Sequence, residues 1–161
     1  MNRTRTLVVT AWVAALVLLH YSVRPAIGGR VQVDFLVIAL LLVSVRARPA
    51  TAAFVGFAIG VVTDAMTPES FGAGALAMTV VGFVASWLKA VFFSENLWLN
   101  AAFVLGGKWA YDVCFLIAER RLGVGAMASQ LLVWSPLAAL LTAAVGLAVM
   151  VASKPSAQVR R

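Results

Sequence analysis

Reactive chemistry is scarce in this chain. One cysteine, Cys114, excludes an intramolecular disulfide. One histidine, His20, has no second His or Cys near it, so no metal-ligand spacing exists and no metal site is expected. There is no glycine-rich phosphate cradle followed by Lys and Ser or Thr, and no Ser with a nearby base. No catalytic residues and no cofactor are therefore expected, and the chain does not read as an enzyme. Charge is short as well. Only 12% of residues are charged, against about 25% in a soluble domain.

What fills the space is apolar. Hydrophobic residues make up 63% of the 161 positions, and the mean hydropathy is +0.98. Six apolar runs can be counted, at roughly 7–23, 31–45, 50–66, 72–93, 97–118 and 127–152. A helical span takes ~20 residues, so six spans use ~120 and leave ~40 for ends and loops. The expectation is an all-α polytopic membrane protein, a six-transmembrane-helix bundle forming one integral membrane domain over 1–161. That leaves no room for a separate soluble domain, and it excludes a cytoplasmic enzyme and a secreted disulfide module. It also excludes a nucleic-acid-binding protein, despite a pI near 10.8, because the basic residues are scattered at helix ends rather than gathered on one face.

The breaks between runs are short and chemically marked. Arg24-Pro25 with Gly28-Gly29 ends the first, and Arg46-Ala47-Arg48-Pro49 separates the second from the third, with Pro49 suited to a helix start. The third break is Thr67-Pro68-Glu69-Ser70, and the fifth is Leu122-Gly123-Val124-Gly125. Arg3 and Arg5 precede an apolar stretch with no small-x-small cleavage site, which reads as a retained signal anchor. The second run is short, so it must thin the bilayer or be shielded by neighbours.

Orientation follows from the positive-inside rule. With the N-terminus inside, Arg3, Arg5, Arg46, Arg48, Lys89, Lys154, Arg160 and Arg161 are cytoplasmic, and Arg24, Arg30, Arg120 and Arg121 are external. Eight against four places both termini in the cytoplasm. Trp87 and Trp98 flank the fourth break and are expected at the inner interface.

Four charged residues stay inside the spans: Asp34, Asp64, Lys108 and Asp112. Each costs ~2.5–3.5 kcal/mol at mid-bilayer, so each is expected to face the bundle interior with a partner. In this orientation all three acids fall in the external half, which suggests a polar cluster or shallow pocket opening away from the cytoplasm. Lys108 and Asp112 share a helix face and can pair, although Lys before Asp is the poorer order, so Lys108 can instead reach Asp64 or Asp34. On the third run Ala52, Gly56, Gly60 and Asp64 form a small-residue stripe at four-residue spacing that admits a close helix, either internal or from another protein.

The stretch Gly56-Phe57-Ala58-Ile59-Gly60-Val61-Val62-Thr63-Asp64, then Gly72 and Ala75-Leu76, resembles the signature of the rod shape-determining protein MreD family: Gly-Phe-x-x-Gly-x-x-x-Asp, a turn, then Gly-x-x-Ala-Leu. Asp34 lies where that family has an acidic or amide residue after a proline; here Val33 replaces the proline. The resemblance implies a non-catalytic inner-membrane subunit of the bacterial cell-elongation complex. Family members bind the single-span periplasmic protein MreC, and through it work with the actin-like MreB, the glycosyltransferase RodA and a penicillin-binding transpeptidase, so that lateral peptidoglycan synthesis keeps the rod shape. On this reading Asp34, Gly56, Gly60, Asp64 and Gly72 are the docking or polar-pocket residues, with Lys108 and Asp112 as an intramembrane charge pair. The family is also said to resemble the substrate-binding subunits of energy-coupling-factor vitamin transporters, which makes such a subunit one alternative; Ala11 and Ala15 have the four-residue spacing those proteins use to meet their coupling subunit. A small secondary transporter using Lys108 and Asp112 is the other.

Overall fold

A computed structural model describes residues 3–23, 32–92, 96–119 and 124–152, with side chains placed at 10–23, 32–89, 96–119 and 125–152. Every element among them is helical: α1 (Arg3–Val23), α2 (Phe35–Ser44), α3 (Pro49–Met66), a 3-10 turn (Pro68–Ser70), α4 (Ala73–Phe92), α5 (Leu97–Glu119), α6 (Val124–Ser129), a π-helical turn (Gln130–Trp134) and α7 (Ser135–Ala152). The first break, Leu122 and Gly123 of the fifth, and the basic tail with Lys154, Arg160 and Arg161 lie outside the described residues, while Val124 and Gly125 of the fifth break open α6. By length and composition α3, α5 and the stretch from Gly125 to Ala152 are able to cross a membrane.

The short second run becomes a helix of only 10 residues, ~15 Å long against a hydrocarbon core of ~30 Å. Its neighbours shield it completely. Residues Leu36 to Leu42 are each 0–2% exposed, and α2 packs against α1, α3, α4, α5 and α7. A helix apolar on every side is a membrane span or a buried core element, and α2, at 10 residues and covered by its neighbours, is the latter. Its own polar residue is absorbed locally, because the Ser44 hydroxyl donates to the Leu40 carbonyl at 2.8 Å.

The corner between α2 and α3 is tied to α4. The Ala47 carbonyl accepts from the Ser86 hydroxyl at 2.8 Å and from the Lys89 ammonium, while the Arg46 guanidinium caps the Leu42 carbonyl at 3.0 Å. Arg46 and Lys89 thus satisfy carbonyls at and beside the end of α2 besides marking a basic end of the bundle. Trp87 and Trp98, at the same end, are 71% and 84% exposed.

The outer face is apolar too. Phe54, Phe57, Phe83, Leu132 and Leu140 all project from the bundle, which suits hydrocarbon surroundings and would be a liability in water. The last run is not the uniform helix its composition suggests. Pro136 has no N–H for the Leu132 carbonyl and its ring crowds that turn, so the preceding turn widens, and the Ser135 N–H bonds back to the Gln130 carbonyl.

Candidate functional site: an acid-lined cavity and a capped hairpin

The stripe Ala52, Gly56, Gly60 and Asp64 is buried, and its partner is internal: α4. A Cβ on Gly60 would lie 2.6 Å from the Ala75 nitrogen, and one on Gly56 would lie 2.7 Å from the Met78 carbonyl carbon. The approach is reciprocal, since a Cβ on Gly82 would lie 2.6 Å from the Ala52 oxygen. These three glycines let the two backbones touch, the small-xxx-small packing that replaces hydrophobic drive between helices.

Asp64 closes the stripe. Its Oδ2 accepts the backbone N–H groups of Gly72 and Ala75, both at 2.9 Å, and its Oδ1 accepts that of Gly74 at 3.1 Å. The first N–H groups of a helix have no partners within it. Ser, Thr, Asp or Asn at the N-cap normally supplies one. Here the residue before α4 is Gly72, whose φ of +96° no side chain adopts easily, and the carboxylate comes from the end of α3 instead. The negative charge also meets the positive end of the α4 dipole. The residues Gly56, Gly60, Asp64, Gly72 and Ala75 therefore meet in one α3–α4 hairpin.

Asp34 and Lys108 meet elsewhere. Asp34 caps α2 by accepting the Val37 N–H at Oδ1, 3.3 Å, and its own N–H donates to the Thr142 hydroxyl at 3.2 Å. Its Oδ2 is 3.4 Å from the Lys108 ammonium, which also donates to Asp112 Oδ1. Lys108, the central residue of α5, is 6% exposed, and the ammonium lies 5.1 Å from the Tyr111 ring centroid. Of the three pairings open in the sequence, those with Asp112 and Asp34 occur, while Asp64 is engaged by α4.

These acids share one cavity of about 540 Å³, lined among others by Asp34, Asp64, Lys108, Asp112, Ser135 and Glu119. Asp64 lies fifteen residues along α3 from Pro49, ~22 Å at 1.5 Å per residue, so the cavity is at the end of the bundle remote from the basic corner. Gly72 is exposed on the turn beside it, and Gly56 and Gly60 lie further along α3, against α4. No group of three or more His, Cys, Asp or Glu able to hold a metal occurs among the described residues.

Sequence reasoning passed over the uncharged contributors: Gln32, Gln130, Trp134, Ser135 and the buried His20 line the same cavity, and Thr142 holds the Asp34 N–H. A signal for two of them existed. Ser135, Ala139, Thr142 and Gly146 recur at helical spacing and are all buried, a small and polar face on an otherwise leucine- and valine-rich helix.

A second, apolar groove of about 290 Å³ runs between α4 and α5, where Ala102, Gly106, Ala110 and Cys114 repeat at four-residue spacing. A Cβ on Gly106 would meet nothing within 4 Å among the described residues.

No protein-family model matches the chain, and no curated protein or solved structure matches it either.

Proposed function

We propose that the chain is a six-helix protein of the bacterial inner membrane, both termini cytoplasmic, that serves the cell-elongation machinery as a non-catalytic docking subunit. Its partner is an MreC-like single-span periplasmic protein. Through it the chain would act with MreB, RodA and a penicillin-binding transpeptidase to organise lateral peptidoglycan synthesis. The observation that carries this reading is the α3–α4 hairpin. The residues that resemble the MreD signature are the ones that build it: Gly56 and Gly60 admit α4, and Asp64 caps it. Gly56, Gly60, Asp64, Gly72 and Ala75 of that pattern thereby each have a physical role in the hairpin.

Since α4 occupies the α3 stripe, the partner helix is assigned to the lipid-facing groove between α4 and α5. There Ala102, Gly106 and Ala110 leave space that no described residue fills, the surface a single span needs for close approach. The test is co-purification in mild detergent. G106L is expected to insert and fold normally yet lose the partner, and C114A to keep it. Retention of wild-type amounts of partner by stably inserted G106L, A102L and A110L variants would overturn the docking assignment.

The cavity favours a second reading, a substrate-binding subunit of an energy-coupling-factor vitamin transporter. It requires that a pair of ATPases with a coupling membrane subunit co-purify, and that a cofactor be released on denaturation.

A further inference from the structure

The last apolar run is held to the bundle very differently along its two parts. From Ser135 onward one face of α7 is buried, with Ser135, Ala139, Thr142 and Gly146. Over residues 125–134 no residue is buried, and Leu132 and Val133 are 74% and 51% exposed. Here α6 packs chiefly on the π-helical turn, and the turn on α7 and α5. A segment with so little burial opens at low free energy.

Its backbone carries a second weakness. The Ser135 N–H goes to the Gln130 carbonyl, so it is lost to the Leu131 carbonyl four residues back. Pro136, the next residue on, has no N–H to offer. Leu131 is thus left with neither its α-helical nor its π-helical donor, and an unsatisfied carbonyl facing hydrocarbon is costly. The Trp109 side chain supplies the bond from α5, its indole Nε1–H donating to the Leu131 oxygen at 3.3 Å. Trp109 is 42% exposed, so this joint lies on the outer face of the bundle.

Behind the joint is the polar cavity of about 540 Å³, with Gln130, Trp134 and Ser135 on one side and Tyr111 and Asp112 of α5 on another. The weakly held segment is therefore a wall of that cavity. Its seam with α5 is closed at the surface by one indole.

We propose that residues 125–134 are a lateral gate to the cavity, which swings about the Ser135–Pro136 joint and is held shut by the bond from Trp109 to the Leu131 carbonyl. π-Helical turns are frequent at functional sites, and hinges are a few element-terminal residues that absorb the backbone change. Opening along this seam admits a molecule from the bilayer. The gate does not rest on the docking reading, because Trp109 lies outside the groove between α4 and α5.

The test reads gate opening by cysteine reactivity, in the full chain in lipid nanodiscs on a C114S background. S135C reports from behind the gate, and S44C from the α2 core, outside the cavity lining; the native serines are 1% and 0% exposed. Each is reached by N-ethylmaleimide, which dissolves in lipid, only on opening. W109F removes the indole N–H and keeps an aromatic ring. It is expected to raise the S135C rate about threefold and to leave the S44C rate unchanged. P136A returns an N–H to the joint, so in that background W109F should have a smaller effect. Four results overturn the proposal. An unchanged S135C rate removes the hinge bond, and an equal rise at S44C means general loosening. The same rise with and without P136A assigns the effect to ring packing. A rise seen only with a charged, water-borne maleimide means the opening is not lateral.

Discussion

The Asp64 carboxylate caps a helix to which it does not belong: its Oδ2 accepts the Ala75 N–H at 2.9 Å, eleven residues further on and in the first turn of α4. The contact joins the end of one helix to the start of the next across a tight turn at Gly72. It makes the hairpin, rather than either helix, the unit that is stabilised.

Replacing that carboxylate should therefore be costly. D64A strands three N–H groups that lose about 1 kcal/mol or more each, so a loss of at least ~3 kcal/mol is expected. D64N keeps one acceptor oxygen and should fall between D64A and the native chain. Denaturant unfolding in mixed micelles measures both. Equal stability of D64A and the native chain would sink the capping account.

Glycine positions separate cleanly by what lies beside them. G60A and G56A force a methyl into the α4 backbone and should each cost ~1–3 kcal/mol, whereas G106A meets nothing within 4 Å among the described residues and should be neutral within ~0.5 kcal/mol. G72A meets no atom either but must hold a φ of +96°, at ~1–2 kcal/mol. Thermal melts of the four variants give the order, and a G106A as damaged as G60A would contradict it.

The Lys108 triad predicts a cost that a second change reverses. K108M removes the ammonium that both carboxylates face, a loss of ~3–5 kcal/mol. The triple variant K108M/D34N/D112N removes both carboxylate charges as well and should recover most of it. Additive losses across the cycle would show that the three residues do not act together.

Topology can be read with the single cysteine removed. In a C114S background, E69C should react with a membrane-impermeant maleimide added outside spheroplasts, and A47C only after permeabilisation. The reverse labelling pattern would invert the orientation read from the positive charges.

The sequence by itself determined much of this protein. All-helical structure and the placement of the α2–α3 and α3–α4 breaks follow from composition and from Pro49 and Pro68, because apolar runs at these lengths and helix-starting prolines act locally. That Asp34, Lys108 and Asp112 face inward also follows, since an unpaired charge among apolar side chains is costly wherever the helices pack.

Tertiary structure decided the partners. Nothing local says that α4, rather than another protein, lies against Gly56 and Gly60, or that Asp64 serves backbone N–H groups while Lys108 takes Asp34 from 74 positions away. Small-residue stripes are alike from the inside of one helix, and what fills them depends on which helix the topology brings up. Nor did hydropathy separate α2 from a spanning helix. A 10-residue segment enclosed by five neighbours and a membrane span look equally apolar, because a protein interior and a lipid interior select the same side chains.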